Sequence, residues 1–389
     1  MIKFDVKKCL EAAFSKSKRI AMRADGKFPF CGFDEKGEYK LFEEGGWTDS
    51  FFPGMLYLAA VSGGGEEYID LARRYDDAFD VKTGEKLAIQ DHDLGFLFTL
   101  KDVYDYRITG SEFHKKRALV AADALLKRYR PSAKILPAWE WHPFEPDIDY
   151  HGRIICDTMM NMPLLMWAYE ETGDERYKEA AINHSKSAAR HLIRDDGSSY
   201  HVYDFDPDTG EAKGGKTMQG YSDDSCWARG HSWLVYGFAL MYSYTKDEEF
   251  LNAAETTAKY FYDHLSAYGM PVWDFAVSEL EFRPWDASAG AVTACGMLEI
   301  AKSVEDEAKK ECYRNMAVRM MNALTSFCAT IDTPELEPLM LHVCGAPIYK
   351  KGKELELCFA NADTAIIYGD YFYTEALARL ENPDVILGW

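Results

Sequence analysis

Positive charge is scarce in this chain: 44 Lys and Arg stand against 64 Asp and Glu, a formal net charge of −20. Phosphate backbones are held by clustered Lys and Arg, so no nucleic-acid partner is expected. The 9 Cys form no Cys-x-x-Cys pair and keep no regular spacing against the 10 His. That argues against a disulfide framework or a structural zinc site and leaves reduced, mostly buried thiols as the default. No run approaches the roughly 18 apolar residues of a membrane span. The opening Met1-Ile2-Lys3-Phe4-Asp5 leads into a mixed charged segment rather than an apolar signal core. A soluble cytoplasmic protein without a membrane partner is therefore expected. Asp223-Asp224 lacks the surrounding Asp-rich loop of a calcium site, so neither metal nor cofactor is expected.

Aromatic side chains, by contrast, are abundant. The 24 Tyr, 22 Phe and 9 Trp can line a groove as well as fill a core, and their flat faces with polar edges are surfaces on which sugar rings stack. Length alone permits one large domain or several smaller ones. An internal repeat points to one, spanning 1–389.

The repeat is an apolar aromatic helix, a short polar turn, then an aromatic residue opening an amphipathic helix. Its first copy runs from Trp47 through Gly63-Gly64-Gly65 to Tyr68 and Ala72. Further copies begin at Asp93, Asp157 and Arg229 and near Asp286, turning before Phe113, Tyr177, Phe250 and Tyr313. A last apolar helix at Gly369-Asp370-Tyr371 would pair with an amphipathic helix over 5–24, and residues 25–46 would carry a hairpin or lie across a rim. The turn aromatics are 45, 64, 73 and 63 residues apart, too irregular for an open solenoid. Hairpins with loops inserted on one side would give that spacing. The expectation is an all-α fold, an (α/α)6 barrel of six helical hairpins with apolar helices inside and amphipathic ones outside.

Residues 130–152, 195–228, 267–285 and 329–368 all follow an outer helix, so they should emerge on one rim. They carry Trp139, Trp141, His142, His201, Gln219, Trp227, Trp273 and Trp285, and long aromatic loops on one face are where a ligand is expected. Trp47, Asp93, Asp157 and Arg229 would sit at equivalent helix mouths, where free N–H groups favour an anion. Asp is also a preferred N-cap, so Asp93 and Asp157 each have a purely structural reading. Two carboxylates facing one pocket are the minimum for acid/base chemistry on a sugar. Arg229, between Trp227 and Trp233, could grip a carboxylate bidentately.

His92-Asp93-Leu94-Gly95-Phe96, Asp157 with Asn161-Met162-Pro163-Leu164-Leu165, and Gln219-Gly220-Tyr221 through Trp227-Ala228-Arg229-Gly230 resemble the unsaturated glucuronyl hydrolases of glycoside hydrolase family 88. The likeness runs from about Trp47 to Leu380. It implies an (α/α)6 barrel that removes a 4,5-unsaturated uronic acid from lyase-made oligosaccharides by hydrating its vinyl ether bond. In that reading Asp157 is the acid/base. Asp93 holds ring hydroxyls and tunes Asp157, because two close carboxylates do not ionise together easily. Trp47, Trp139 and Trp233 wall the ring, with Trp141 an alternative to Trp139, and His201, Gln219 and Arg229 make polar contacts. His231-Ser232 stands where the family more often has Gln-Ala, and residues 342–362 match none of its loops that read the neighbouring sugar. The related family 105 unsaturated rhamnogalacturonyl hydrolases, an inverting glycosidase of the same fold and a binding scaffold built as a helical toroid are the alternatives. The sequence says nothing of oligomeric state.

Overall fold

A computed structural model describes residues 1–84, 91–139, 150–345 and 362–389, and the backbone alone of 348–351 and 354–357. Among these the chain is mostly helical. Helix α1 (Val6–Ala24) is followed by α2 (Phe51–Ala59), which turns into α3 (Glu67–Arg73) and α4 (Asp76–Thr83). The next apolar stretch is α5 (Leu94–Phe98) and α6 (Tyr104–Thr109), joined by a widened turn and backed by α7 (Glu112–Leu126). Three longer hairpins follow: α8 (Met162–Thr172) with α9 (Glu175–Leu192), α10 (Ala228–Thr245) with α11 (Glu248–Asp263), and α12 (Ala287–Ser303) with α13 (Glu307–Phe327). Helix α14 (Ile367–Glu381) packs on α1.

Local chemistry sets the hairpin turns. Gly110 and Gly173 end α6 and α8 at φ of 71° and 72°, a left-handed conformation that glycine adopts without a Cβ clash. Asp174, Asp247 and Asp306 then cap the following helices by accepting backbone N–H groups, each cap contributing about 1 kcal/mol. Of the turn aromatics, Tyr68, Tyr177 and Phe250 are buried as anchors. Phe113 is not: it is 53% exposed, with the Arg117 guanidinium 4.9 Å from its ring centre.

The apolar helices α10, α12 and α14 are buried along most of their length. In the packing α2 meets α14 and the 99–103 turn, α5 meets α8, α8 meets α10, α10 meets α12, and α12 meets α14. No described helix is long and apolar enough to cross a membrane.

Among the described residues the sheets are small and antiparallel. The segment expected to hold a hairpin does so, as β1 (Phe28–Phe33) with β2 (Tyr39–Phe42). The sheet that matters for the site pairs β3 (Arg153–Ile155), β4 (Val202–Phe205) and β5 (Ala212–Lys216) in that order. Arg153 lies directly across from Asp204, and its Nε and Nη2 donate to the two carboxylate oxygens at 2.6 and 2.9 Å. That two-pronged pair fixes the register, which sets Cys156 opposite His201 through a 3.0 Å backbone bond. A one-residue slip would turn Asp157 away from His201. The late loop adds β6 (Ile348–Lys351) and β7 (Glu354–Leu357).

Candidate active site at the helix mouths

Asp93 occupies the N-cap position of α5, and Asp157 lies in the 3-10 turn Cys156–Asn161 that leads into α8. Neither side chain caps its helix. The structural reading of both as N-caps is thereby corrected: at α5 the capping is done by Asn161, and at α8 the residue in the cap position makes no side-chain cap bond. Its Oδ1 accepts the Phe96 N–H at 2.8 Å, while its Nδ2 lies 3.4 Å from Asp93 Oδ1 and 3.3 Å from the Asp157 carbonyl. Such closeness needs Gly95, where an added Cβ would fall 2.3 Å from the Asn161 Cα. The glycine beside Asp93 therefore exists so that the two carboxylate-bearing segments can touch.

Asp157 Oδ2 is buried without a hydrogen-bond partner, and 3.8 Å away is His201 Nε2, equally unpartnered. The Met218 and Gln219 backbone N–H groups donate to His201 Nδ1 at 3.1 and 3.2 Å. Nδ1 must then be unprotonated, so the neutral ring carries its proton on Nε2, facing Asp157. Burial, aided by Arg229 and Arg153, drives the His201 pKa down to about 3 and keeps the ring neutral.

Burial raises Asp157 to about 6, with Asp91 adding to the rise, while the Arg229 charge and the Trp233 indole pull the other way. Asp93 is pushed well above the carboxylate range, first by burial and then by Asp91 and Asp157. The net shift of Asp157 is upward, and burial is its largest cause.

Arg229, the second residue of α10, lies between rings, 4.6 Å from the centre of Trp227 and 5.2 Å from that of Tyr368. Tyr368 in turn stacks on Trp47 at 5.6 Å and 19°, and Trp227 packs on His201 at 4.5 Å. A continuous column, Trp47–Tyr368–Arg229–Trp227–His201, so joins three expected site residues through the rim-loop Trp227 and through Tyr368, which was not singled out. Arg229 Nη1 donates to the Cys344 and Gly345 carbonyls, and Nη2 donates to Gln219 Oε1 at 3.2 Å. The bidentate grip expected for it is narrowed accordingly, because protein groups already accept from both Nη1 and Nη2.

Trp233 is fully buried, its indole N–H lacks a partner, and Phe96 lies between it and Trp47 at 5.2 and 5.4 Å. Trp139 reaches the cluster through His92, whose Nδ1 bonds Thr158 Oγ1 at 2.7 Å and whose Nε2 is 3.5 Å from Asp93. All eight expected site residues are brought together. Trp141 and His142, and much of the 346–361 loop, lie outside the described residues. His231, which departs from the family pattern, points elsewhere: Nε2 donates to the Thr257 carbonyl at 2.9 Å and Nδ1 accepts from the Ser199 hydroxyl at 2.8 Å. It fastens α10 to α11 rather than serving the pocket.

Tyr368, Asn161, Asp91 and Asp286 were not singled out as site residues. Tyr368 carried no signal beyond being one more core aromatic, and Asn161 looked like the residue before a helical proline. Asp91 Oδ1 accepts the Asp93 N–H at 2.8 Å. Among the described residues Asp91, His92 and Asp93 alone bring three possible metal-ligand atoms within 4.8 Å of one another. Two of these side chains are already engaged, by the Asp93 amide and by Thr158.

Four buried, unpartnered polar atoms mark this cluster: Asp157 Oδ2, His201 Nε2, Trp227 Nε1 and Trp233 Nε1. Leaving such atoms unsatisfied costs about 1–3 kcal/mol each, a penalty that a ligand can relieve. The chain matches Glycosyl Hydrolase Family 88 over residues 32–326. It is 36% identical to the unsaturated glucuronyl hydrolase of Bacillus sp. (strain GL1), covering 92% of this chain and 91% of that one. With the unsaturated chondroitin disaccharide hydrolase of Streptococcus pyogenes serotype M1 it shares 35% identity, over 88% and 83% of the two chains. The crystal structure of the Bacillus sp. GL1 enzyme superposes with a TM-score of 0.90 at 34% identity, covering 99% of each chain. The chain belongs to glycosyl hydrolase family 88.

Proposed function

We infer that this protein is an unsaturated glucuronyl hydrolase. It releases the 4,5-unsaturated glucuronic acid from the non-reducing end of glycosaminoglycan-type oligosaccharides left by polysaccharide lyases, by hydrating the vinyl ether double bond. The observation that carries the chemistry is the buried Asp157 carboxyl, held protonated up to about pH 6 and left without a partner beside a neutral His201. In our reading Asp157 gives its proton to C4 and, as the carboxylate so formed, takes a proton from the water whose oxygen bonds to C5. The resulting hemiketal opens to the free sugar and a keto acid. His201 Nε2–H is placed to donate to a water or hydroxyl held against Asp157. Asp93, kept largely protonated by burial and its neighbours, meets the ring hydroxyls as an uncharged group able both to donate and to accept.

Arg229 supplies positive charge for the uronate carboxylate, with Gln219 beside it, and Trp47, Trp139 and Trp233 wall the ring. We read the architecture as an (α/α)6 barrel of six hairpins in a single domain over 1–389. The packing order from α2 through α5, α8, α10, α12 and α14 returns to α2, and one buried core runs from Cys9 to Trp389, which supports that reading. A cytoplasmic location agrees with the described cysteines, which are free and mostly buried.

The test is spectroscopic. Lyase-made unsaturated disaccharides of chondroitin, hyaluronan, heparin and pectin are offered in turn, and loss of the conjugated double bond's absorbance is followed. Loss with the glycosaminoglycan disaccharides is expected. No loss with any of the four would refute the hydration reading, and loss with the pectin product alone would move the protein to the family 105 activity.

A further inference from the structure

The Asp286 side chain is fully buried, and its two oxygens do different things. Oδ1 accepts the Ser288 N–H at 3.1 Å, the Ser288 hydroxyl at 2.5 Å, the Ala289 N–H at 3.4 Å and the Cys344 N–H at 3.3 Å. It thereby caps α12 and holds the 344 peptide. Oδ2 turns the other way and lies 3.5 Å from Arg229 Nη1. Arg229 Nη1 also bonds the Cys344 carbonyl, so the carboxylate and the guanidinium grip opposite sides of one residue, Cys344 N–H and Cys344 C=O. The Tyr368 hydroxyl, 3.4 Å from that same carbonyl, ties the unit to the ring on which Trp47 stacks.

We propose that Asp286 is a positioning residue for substrate recognition: it fixes the Arg229 guanidinium and the Cys344 peptide as one rigid anion-binding unit, so that selectivity for a charged uronate depends on it. The inference rests on the reading of Arg229 as the carboxylate-binding group. A cap alone would need only Oδ1. The second oxygen, buried and turned onto a guanidinium that has two carbonyl partners already, has no part in starting α12.

The near-isosteric Asp286→Asn change separates the two roles. The donors around Oδ1 force the amide oxygen to stay there, which places the amide N–H groups against Arg229, donor to donor. The cap survives while the guanidinium is pushed from its place. Binding is measured by calorimetry in an Asp157→Asn background, where the ligand is not consumed, using a chondroitin-derived unsaturated disaccharide and its uncharged methyl ester. With Asp286 intact the acid should bind at least about tenfold more tightly than the ester, a ratio typical of a charge-assisted contact. Adding Asp286→Asn should erase most of that ratio by weakening the acid alone. Ser288→Ala, which removes a cap hydrogen bond to Oδ1 and leaves Oδ2 on Arg229, should leave the ratio unchanged. A ratio retained in Asp286→Asn but lost in Arg229→Ala would overturn the proposal and leave Asp286 a helix cap. A ratio retained in Arg229→Ala would instead overturn the role given to Arg229, and turnover of the ligand by the Asp157→Asn background would overturn the role given to Asp157.

Discussion

Two buried polar clusters lie at different depths along the same helices, and they are built on opposite rules. At the mouths, Asp157, His201, Trp227 and Trp233 keep polar atoms buried and unpartnered. Deeper in, about 10 Å or more along α10 and α14 at 1.5 Å per residue, Arg379 donates to Glu375 at 2.9 Å and to Glu299 at 2.7 Å, and also meets the Tyr236 hydroxyl. The remaining Glu375 oxygen accepts the Trp389 indole N–H at 2.8 Å. In the deep cluster one guanidinium is shared between two carboxylates, and the bonds tie three helices and the 382–389 segment together. At the mouths, charge and hydrogen-bonding capacity are held in reserve. Hydrogen bonds are made in the one cluster and withheld in the other, which is where we propose the chemistry takes place.

That contrast can be broken from either side. Arg379→Ala should cost the most, about 3–5 kcal/mol of stability, because it strands two buried carboxylates. Urea unfolding would measure the loss, while KM of the protein that remains folded stays near its original value. Asp157→Asn should act in the opposite sense. In the unfolded chain this carboxyl ionises near pH 4, whereas in the fold it keeps its proton to about 6. Raising the pH through that interval therefore destabilises the native protein, and the penalty is complete above the folded value. Removing the group should stabilise the fold at pH 8 by on the order of 2–3 kcal/mol and have little effect at pH 3.5, as thermal unfolding at the two values would show. Equal gains at both pH values would contradict the buried carboxyl. For the wild type, kcat/KM should fall about tenfold per pH unit above about 6, as the acid form of Asp157 is lost. The smallest effect belongs to His231→Ala. Losing its bonds to Thr257 and Ser199 should lower stability by about 1–3 kcal/mol and leave kcat/KM unchanged, which would separate this departure from the family pattern from substrate choice.

Much of the fold could be read from turn chemistry, because a Gly-Asp or Lys-Asp pair both ends one helix and caps the next. Asp93 and Asp157 were legible for a similar local reason, each standing alone before an apolar run. What brings them together was not legible. Asn161 reaches Asp93 and the Phe96 amide across 65 to 68 residues of sequence, and the only local trace is a glycine at 95 whose neighbour the sequence does not name. His201 faces Asp157 because of a strand register locked by Arg153 and Asp204, a pairing that alternation suggests but does not specify. The partition of Asp286 between a helix start and Arg229 depends on where Cys344 lies, 58 residues further on. Residues whose role is set by their own segment were visible, and those whose role is to join segments were not.

The most direct test of the central claim is the turnover of Asp157→Asn on a lyase-made chondroitin disaccharide, read as loss of double-bond absorbance at the wild-type pH optimum. With circular dichroism and Tm showing the fold retained, the account predicts a rate lower by at least about a thousandfold, the upper part of what positioned proton transfer supplies. Turnover within about tenfold of the wild type would remove Asp157 as the proton donor, since a positioned acid contributes at least about a hundredfold.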